Sequence, residues 1–364
     1  MDLKVVTKHP LEISENYIPQ QTTFWANFKQ RNGWNVQAFN LELSESDSLI
    51  TYADMLILTQ RIAPDATMAY IPYIPFEIPE SYHYGDVLEQ ITESIKVYLP
   101  KNCLFLRFDV SWESPWVYEP ERFDENGNWL GNPAPHVREL RMNFGTRTHA
   151  LRKAGTDVLP SNTLFVDLNK RPERILQKMK SKTRYNVRLS ERKGVSVRRA
   201  DKTALPTWYR LYRETTLRNQ IHYDDYQFFE ALWEAQKKDP ETKLELLLAE
   251  KDKEPLAGMI LTMNNGRATY LYGASSSNNR HLMGPYRLQW EAMLTAQQSG
   301  CETYDMFGVS PSDDPTHPMY GLYRFKKGFG GHLFHRQGCW DYVFNEREYQ
   351  LFRTEEQQMQ GYHN

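Results

Sequence analysis

The chain has 364 residues, 40% of them hydrophobic, with a mean hydropathy of -0.68 and a formal net charge of -2. One hydrophobic core rarely accommodates that length, so two domains are expected; no apolar run approaches the ~20 residues that span a bilayer, which argues against stable membrane insertion. The opening MDLKVVTKHPLE lacks the basic-then-apolar layout of a signal peptide, and the three cysteines form no CxxC pair, so a cytoplasmic chain is expected.

In chain order, a Trp-containing helix over residues 22–32 leads into NVQAFNLEL and DMLILTQRI, which read as strands. The Tyr-rich MAYIPYIPF (68–76) is a third strand. DVLEQITESIKVYL (86–99) sets Val87, Leu88, Ile91, Ile95 and Tyr98 on one helical face, and Pro100 ends it. CLFLRFDV (103–110) is the next strand, followed by a Pro/Gly-rich surface excursion at 111–135.

LPSNTLFVDL opens the second half. Residues 170–199 then hold twelve cations against only Glu173 and Glu191, a net +10 that leaves -12 for the remainder. Such asymmetry is the footprint of a polyanion site. Pro172 and Gly194 bracket a cationic helix or helix pair, with Ile175, Met179 and Leu189 as its sparse apolar anchors.

A second Trp-containing helix (206–220) precedes strands KLELLLAE (243–250) and PLAGMILTMN (255–264). Asn265-Gly266 turns into RATYLYGAS (267–275). Gly284-Pro285 opens a helix with Tyr286, Trp290, Met293 and Leu294 at helical spacing, Gly300 stops it, and ETYDMFGV (302–309) follows as a strand. The first half repeats this order at an offset of about 200 residues.

The expected division is residues 1–158 plus 338–364 as domain one and 159–337 as domain two. No low-complexity linker separates them, so a shared cleft is expected, and ligand sites favour such clefts. The β-β-β-α-β order resembles that of GNAT acyl-CoA N-acyltransferases. The fold class is therefore α/β (α+β), with two tandem GNAT-like domains. In acetyl-CoA enzymes the helix start carries RxxGxG/A, whose N–H groups hold a pyrophosphate. Here Arg280 stands one residue too far from Gly284, and Pro285 removes a donor.

Two motifs carry chemistry on their own terms. Asp109 ends a buried strand, where it is suited to accept from an ammonium or amide of substrate, or to pair with Arg107 or cap a turn. Tyr270 and Tyr272 alternate with Leu271, which puts both on one face, either lining a channel or packing in the core. His332 and His335 have no third ligand nearby, so no metal is expected.

Three blocks together resemble the FemABX family of peptidoglycan interpeptide-bridge transferases: LFVDLNKRPERILQKMKSKTRYNVRLSERKGV (164–195), YLYGASSSNNRHLMGPYRLQWEAM (270–293), and YDMFGVSP with GLYRFKKGFGG (304–331). QQTTFWANFKQRNGW (20–34) is similar to the family's N-terminal helix. The resemblance implies transfer of an amino acid from aminoacyl-tRNA to the side-chain amine of a stem peptide, on UDP-MurNAc-pentapeptide or lipid II. Without heptads for a long helical hairpin, the chain is more similar to the compact subgroup acting on the soluble nucleotide-peptide. It departs from the family at Tyr73-Ile74-Pro75, where Arg-Gly-Pro is frequent.

The resemblance also implies roles. Lys326 stabilises the oxyanion or orients the acyl-tRNA end, and Phe325 packs on the terminal adenosine. Lys29 and Arg218 bind the acceptor's diphosphate, a point charge and a two-pronged fork respectively. Lys178, Lys180, Lys182, Arg184 and Arg188 become the tRNA contacts. Attack of an amine on an ester needs positioning and oxyanion stabilisation more than a nucleophile. No Ser-His-Asp or Cys-His pairing stands out, which fits direct transfer. No cofactor is expected, and a monomer is. An acyl-CoA N-acyltransferase shares the fold, and a noncatalytic nucleic-acid-binding protein accounts for the basic stretch alone.

Overall fold

The computed structural model describes residues 2–358 except 46, 47, 79–81, 126, 222 and 240. The chain divides into two compact units, Met1–Ser161 with His335–Asn364, and Asn162–Phe334.

Unit one begins with β1 (Asp2–Lys8), α1 (Thr23–Arg31), β2 (Asn35–Glu45), β3 (Ser48–Ala63) and β4 (Ala66–Ile71). It continues through α2 (Tyr84–Ile95), β5 (Cys103–Glu113), α3 (Pro135–Asn143) and β6 (Leu151–Lys153). The strands β1 to β4 form an antiparallel meander. β5 joins β4 in parallel after the α2 crossover. Thr22 caps α1 by accepting from the Trp25 N–H. Met55 through Leu58 are all buried because both faces of β3 are covered: Met55 and Ile57 share a core with Val87, Leu88 and Ile91 of α2, while the Leu56 N–H donates to Gln21 ahead of α1.

Unit two contains β7 (Asn162–Asp167), α4 (Pro172–Lys178), α5 (Ser181–Arg192), β8 (Ser196–Ala200), α6 (Leu205–Asn219) and α7 (Tyr226–Gln236). Then come β9 (Lys243–Lys251), β10 (Glu254–Asn264), β11 (Arg267–Ser275), α8 (Gly284–Gln298), β12 (Thr303–Asp305) and α9 (Tyr320–Lys327). Again four strands, β8 to β11, form an antiparallel meander and a fifth, β12, pairs in parallel after a helix; β7 closes the far side antiparallel to β12. β13 (His332–Val343) begins in unit two, and its later residues pair antiparallel with β5 and β6 of unit one; α10 (Glu346–Gln358) ends the chain.

Each unit therefore contains the expected β-β-β-α-β order with one more strand in front, β1 and β8. Ser196–Ala200 was hidden by its charge: as an edge strand half in water, SVRRA has no apolar alternation to read.

Candidate active site

The last turn of α9 carries Phe325 and Lys326. Lys326 is only 4% exposed, so it is no solvated surface lysine. Its Nζ donates to the Gly308 carbonyl at 2.9 Å and lies 5.1 Å from the centre of the Tyr270 ring. Among the described residues no carboxylate is within ion-pairing distance. Burial therefore pushes the amine down to about 7, with the charge of Asp305 opposing the shift. Phe325 is half-buried in an aromatic trio with Tyr286 (5.0 Å) and Phe329 (5.3 Å).

Tyr270 and Tyr272 do not share a face, contrary to the alternation rule. The β10–β11 register shifts: Tyr270 opposes Leu261 and Tyr272 opposes Ile260, which leaves Leu271 as an extra residue. A bulge of this kind flips everything beyond it. Tyr270 turns towards Lys326 and the core built on α8. Tyr272 packs edge-on against Phe228 and Phe229 of α7. Gly273 has no Cβ because the Tyr270 hydroxyl occupies that place, 1.6 Å from where the atom would sit.

The basic stretch forms α4 and α5. Lys180 donates its N–H to the Gly328 carbonyl at 2.8 Å. A Cβ on Gly328 would lie 2.1 Å from Thr183 Oγ1, so glycine permits α5 to close against the end of α9. The cationic helices are thus strapped directly to the helix bearing Lys326. Of the five residues expected on tRNA, Lys182 and Arg188 are exposed and make no ion pair among the described residues. Lys180 is also exposed, and Lys178 stands 3.9 Å from Asp167. Arg184 is employed differently. Its guanidinium donates to the carbonyls of Gln177 (3.1 Å) and Met179 (2.9 Å), which closes the C-terminus of α4.

Arg218, in the last turn of α6, donates to the Ser275 carbonyl (3.0 Å), Ser277 Oγ (2.9 Å) and Ser275 Oγ (3.1 Å). Its pKa is lowered by partial burial and then by the neighbouring positive Arg280. Two like charges held together favour an anion beside them. The sequence singles out Arg280 only against the CoA-loop pattern and gives no sign of Ser275 or Ser277 beside Arg218, since only the fold brings the end of β11 onto α6.

In unit one, Asp109 on β5 is fully buried. Its Oδ2 accepts from the Tyr70 hydroxyl (3.0 Å) and the Leu159 N–H (2.9 Å), while Oδ1 has no hydrogen-bond partner among the described residues. Burial, then the charge of Asp157, push the carboxyl up to about 7. The Arg107 salt bridge open to it from sequence does not form: Arg107 is held by Asp341 at 2.7 and 2.8 Å and by Glu356. Tyr70 and Asp157 were missed, lying far from Asp109 in sequence.

Lys29 on α1 sits against three rings, Trp25 (5.4 Å), Phe28 (5.8 Å) and Trp34 (5.3 Å), which hold its ammonium by cation–π attraction. At the departing turn, Tyr73 adopts φ 40 and donates its hydroxyl to the Pro160 carbonyl at 2.7 Å. Arg336 lies 4.5 Å over its ring and brings a guanidinium to the place where the resemblance leads one to look for an arginine.

The helix start that holds pyrophosphate in CoA enzymes is occupied internally. The N–H groups of Leu282, Met283 and Tyr286 donate to Asn279, Arg280 and Met283 carbonyls, and Pro285 has none to give. Among the described residues no group of three or more His, Cys, Asp or Glu is placed to hold a metal. None of their helices is long and apolar enough to cross a membrane.

A lipid II:glycine glycyltransferase from Staphylococcus epidermidis is 25% identical over 253 residues, which cover 53% of this chain and 61% of that protein. The match thus spans less than two-thirds of that relative's length. The crystal structure of FemX matches with a TM-score of 0.72 at 19% identity, over 96% of this chain and 100% of that one. A tandem GNAT protein from the clavulanic acid biosynthesis pathway matches at a TM-score of 0.50 and 10% identity, over 94% and 98% of the two chains. At such identities the likeness concerns the fold, and the fold is a pair of GNAT-like units. The FemAB family profile matches residues 12–250 and 233–357, nearly the whole sequence; the chain belongs to the FemAB family.

Proposed function

We propose that this chain transfers an aminoacyl group from aminoacyl-tRNA to the side-chain amine of a peptidoglycan stem peptide, as a step of cell-wall cross-bridge synthesis. The observation that carries the reading is Lys326: a buried amine with a pKa near 7, on a helix strapped by Gly328 to the cationic α4–α5 pair. The acceptor amine attacks the ester carbonyl carbon. A C–N bond forms, the C–O bond to the tRNA ribose breaks, and the tRNA leaves with its hydroxyl. With its pKa near the working pH, Lys326 can take the proton shed by the attacking amine and, as ammonium, face the oxyanion.

Phe325 packs on the terminal adenosine, and Lys182 and Arg188 meet backbone phosphates. Arg218 beside Arg280 takes diphosphate oxygens of the acceptor, and Lys29 contributes to the same acceptor. Asp109 receives hydrogen bonds from the acceptor peptide. The soluble UDP-MurNAc-pentapeptide is the preferred acceptor, lipid II the other form to be tried. The internally bonded start of α8 speaks against acyl-CoA as the donor. Incubation with charged tRNA and UDP-MurNAc-pentapeptide, or with lipid II, should give an acceptor heavier by one amino-acid residue. An unchanged mass with both acceptors, and acyl transfer from CoA instead, would sink the reading.

A further inference from the structure

The exposed face of α5 repeats at helical spacing: Lys182, Tyr185, Arg188 and Arg192 point outward, while Thr183, Asn186, Val187 and Ser190 are buried. Ser181 and Glu191 are exposed as well, Glu191 lying 3.5 Å from Arg287, and three of the six exposed residues of α5 are cations. Tyr185 lies among these three, a 55% exposed ring in the middle of a charged stripe. Arg192 lies over this ring, 5.8 Å from its centre. A phosphate track has no use for a ring, because a duplex offers an α-helical stripe only phosphates and sugar edges. An unpaired base does have a use for it: base–aromatic stacking is sequence-tolerant, and a guanidinium extends the stack.

We propose that this stripe is a track for single-stranded RNA, in which Tyr185 stacks an unpaired base while Lys182, Arg188 and Arg192 hold the flanking phosphates. The inference rests on the aminoacyl-tRNA reading and deepens it: the part of the RNA lying on α5 is its unpaired end, not its stem. At ~1.5 Å per residue the stripe is about 15 Å long, the scale of a short unpaired segment. Its direction suits the chemistry. The N-terminal end of α5 is the end closed against Gly328, so a strand running from Arg192 towards Lys182 arrives beside the helix of Phe325 and Lys326.

The test uses the full chain and two RNA hairpins of identical stem, one with a short unpaired 3′ tail and one blunt, in fluorescence anisotropy titrations at several salt concentrations. For the tailed hairpin, Tyr185→Ala should weaken binding about ten- to a hundredfold with its salt slope unchanged, and Tyr185→Phe should bind as wild type. Lys182→Ala should instead lower the salt slope by about 0.7. The blunt hairpin should not distinguish Tyr185→Ala from wild type. Equal losses on both hairpins, or none on either, overturn the stacking inference while leaving RNA binding intact. Failure of the wild type to bind either hairpin removes the RNA reading itself. Tyr185 is exposed, so its replacement leaves the packed face of α5 untouched.

Discussion

Among the described residues, Asp109 of unit one and Lys326 of unit two are both buried without a countercharge in direct contact, and burial drives the two in opposite directions to the same place. Asp109 in unit one rises to about 7 and Lys326 in unit two falls to about 7. The cause is shared: water is gone, so the charged form is disfavoured whichever sign it has. Their surroundings differ. Asp109 keeps a hydroxyl and a backbone N–H on one oxygen, and the nearby Asp157 adds to its rise. Lys326 has one carbonyl and the face of a ring, with Asp305 resisting its fall. At a given pH the two therefore hold a proton to the same extent, and they differ in which form carries the charge: Asp109 is neutral when protonated, Lys326 when deprotonated.

The largest effect that can break this comparison is on turnover. Lys326→Met should lower aminoacyl transfer by about a hundredfold or more, the range of a lost general acid–base group, with the fold intact by circular dichroism. Lys326→Arg sharpens the result, because arginine keeps the charge but does not give up its proton. Full activity in the arginine variant would leave a cation role and remove the proton-acceptor role.

Next come the stability differences, which should slope in opposite directions. Lys326 has a depressed pKa, so between about 7 and 10.5 the unfolded chain binds more protons than the folded one. Wild-type stability rises with pH there, and the advantage of Lys326→Met over wild type should shrink across that window. Asp109 has a raised pKa, so between 3.8 and about 7 the folded chain binds more protons. Wild-type stability falls with rising pH there, and the advantage of Asp109→Asn should grow. Each change amounts to a few kcal/mol, from ~1.4 kcal/mol per pKa unit. Urea titrations across pH measure both; parallel slopes would break the comparison.

A smaller effect is expected in acceptor binding. Arg218→Ala should weaken UDP-MurNAc-pentapeptide about tenfold, as for loss of a charge-assisted hydrogen bond, and Lys29→Ala should weaken it less because its ammonium already faces three rings. Isothermal titration with no loss in either variant would detach both residues from the acceptor. The smallest effect belongs to Arg188→Ala, an exposed control. It should shift stability by under ~0.5 kcal/mol and leave both pH slopes alone. A changed slope would show that surface charge, not burial, sets the two values.

What the sequence revealed divides along the same physical line. Local patterns were legible: the α2 face of Val87, Leu88, Ile91 and Ile95, the Asn265-Gly266 turn and the Gly300 stop are set by neighbours in the chain, although Tyr98, expected on that face, lies past the end of α2 and is exposed. The Phe325-Lys326 pair was legible through resemblance, but not its helix or its burial, since FKKG has no apolar period and the groups around the Lys326 amine, the Gly308 carbonyl and the Tyr270 ring, lie elsewhere in the chain. Arg184 read as one more cation in a run. Only the break between α4 and α5 supplies the open carbonyls that engage it. The Arg107–Asp341–Glu356 cluster joins residues more than two hundred positions apart, beyond any spacing rule.

The supernumerary Leu271 in β11 has a consequence for how this chain can be altered. Two tyrosines separated by a single residue answer to separate neighbourhoods, Tyr270 to the buried Lys326 amine and Tyr272 to the aromatic rings of α7. Changes at the two positions should therefore combine independently, as for residues without shared partners. Drift or engineering can retune one side of the sheet without disturbing the other, a freedom that a regular strand would have denied.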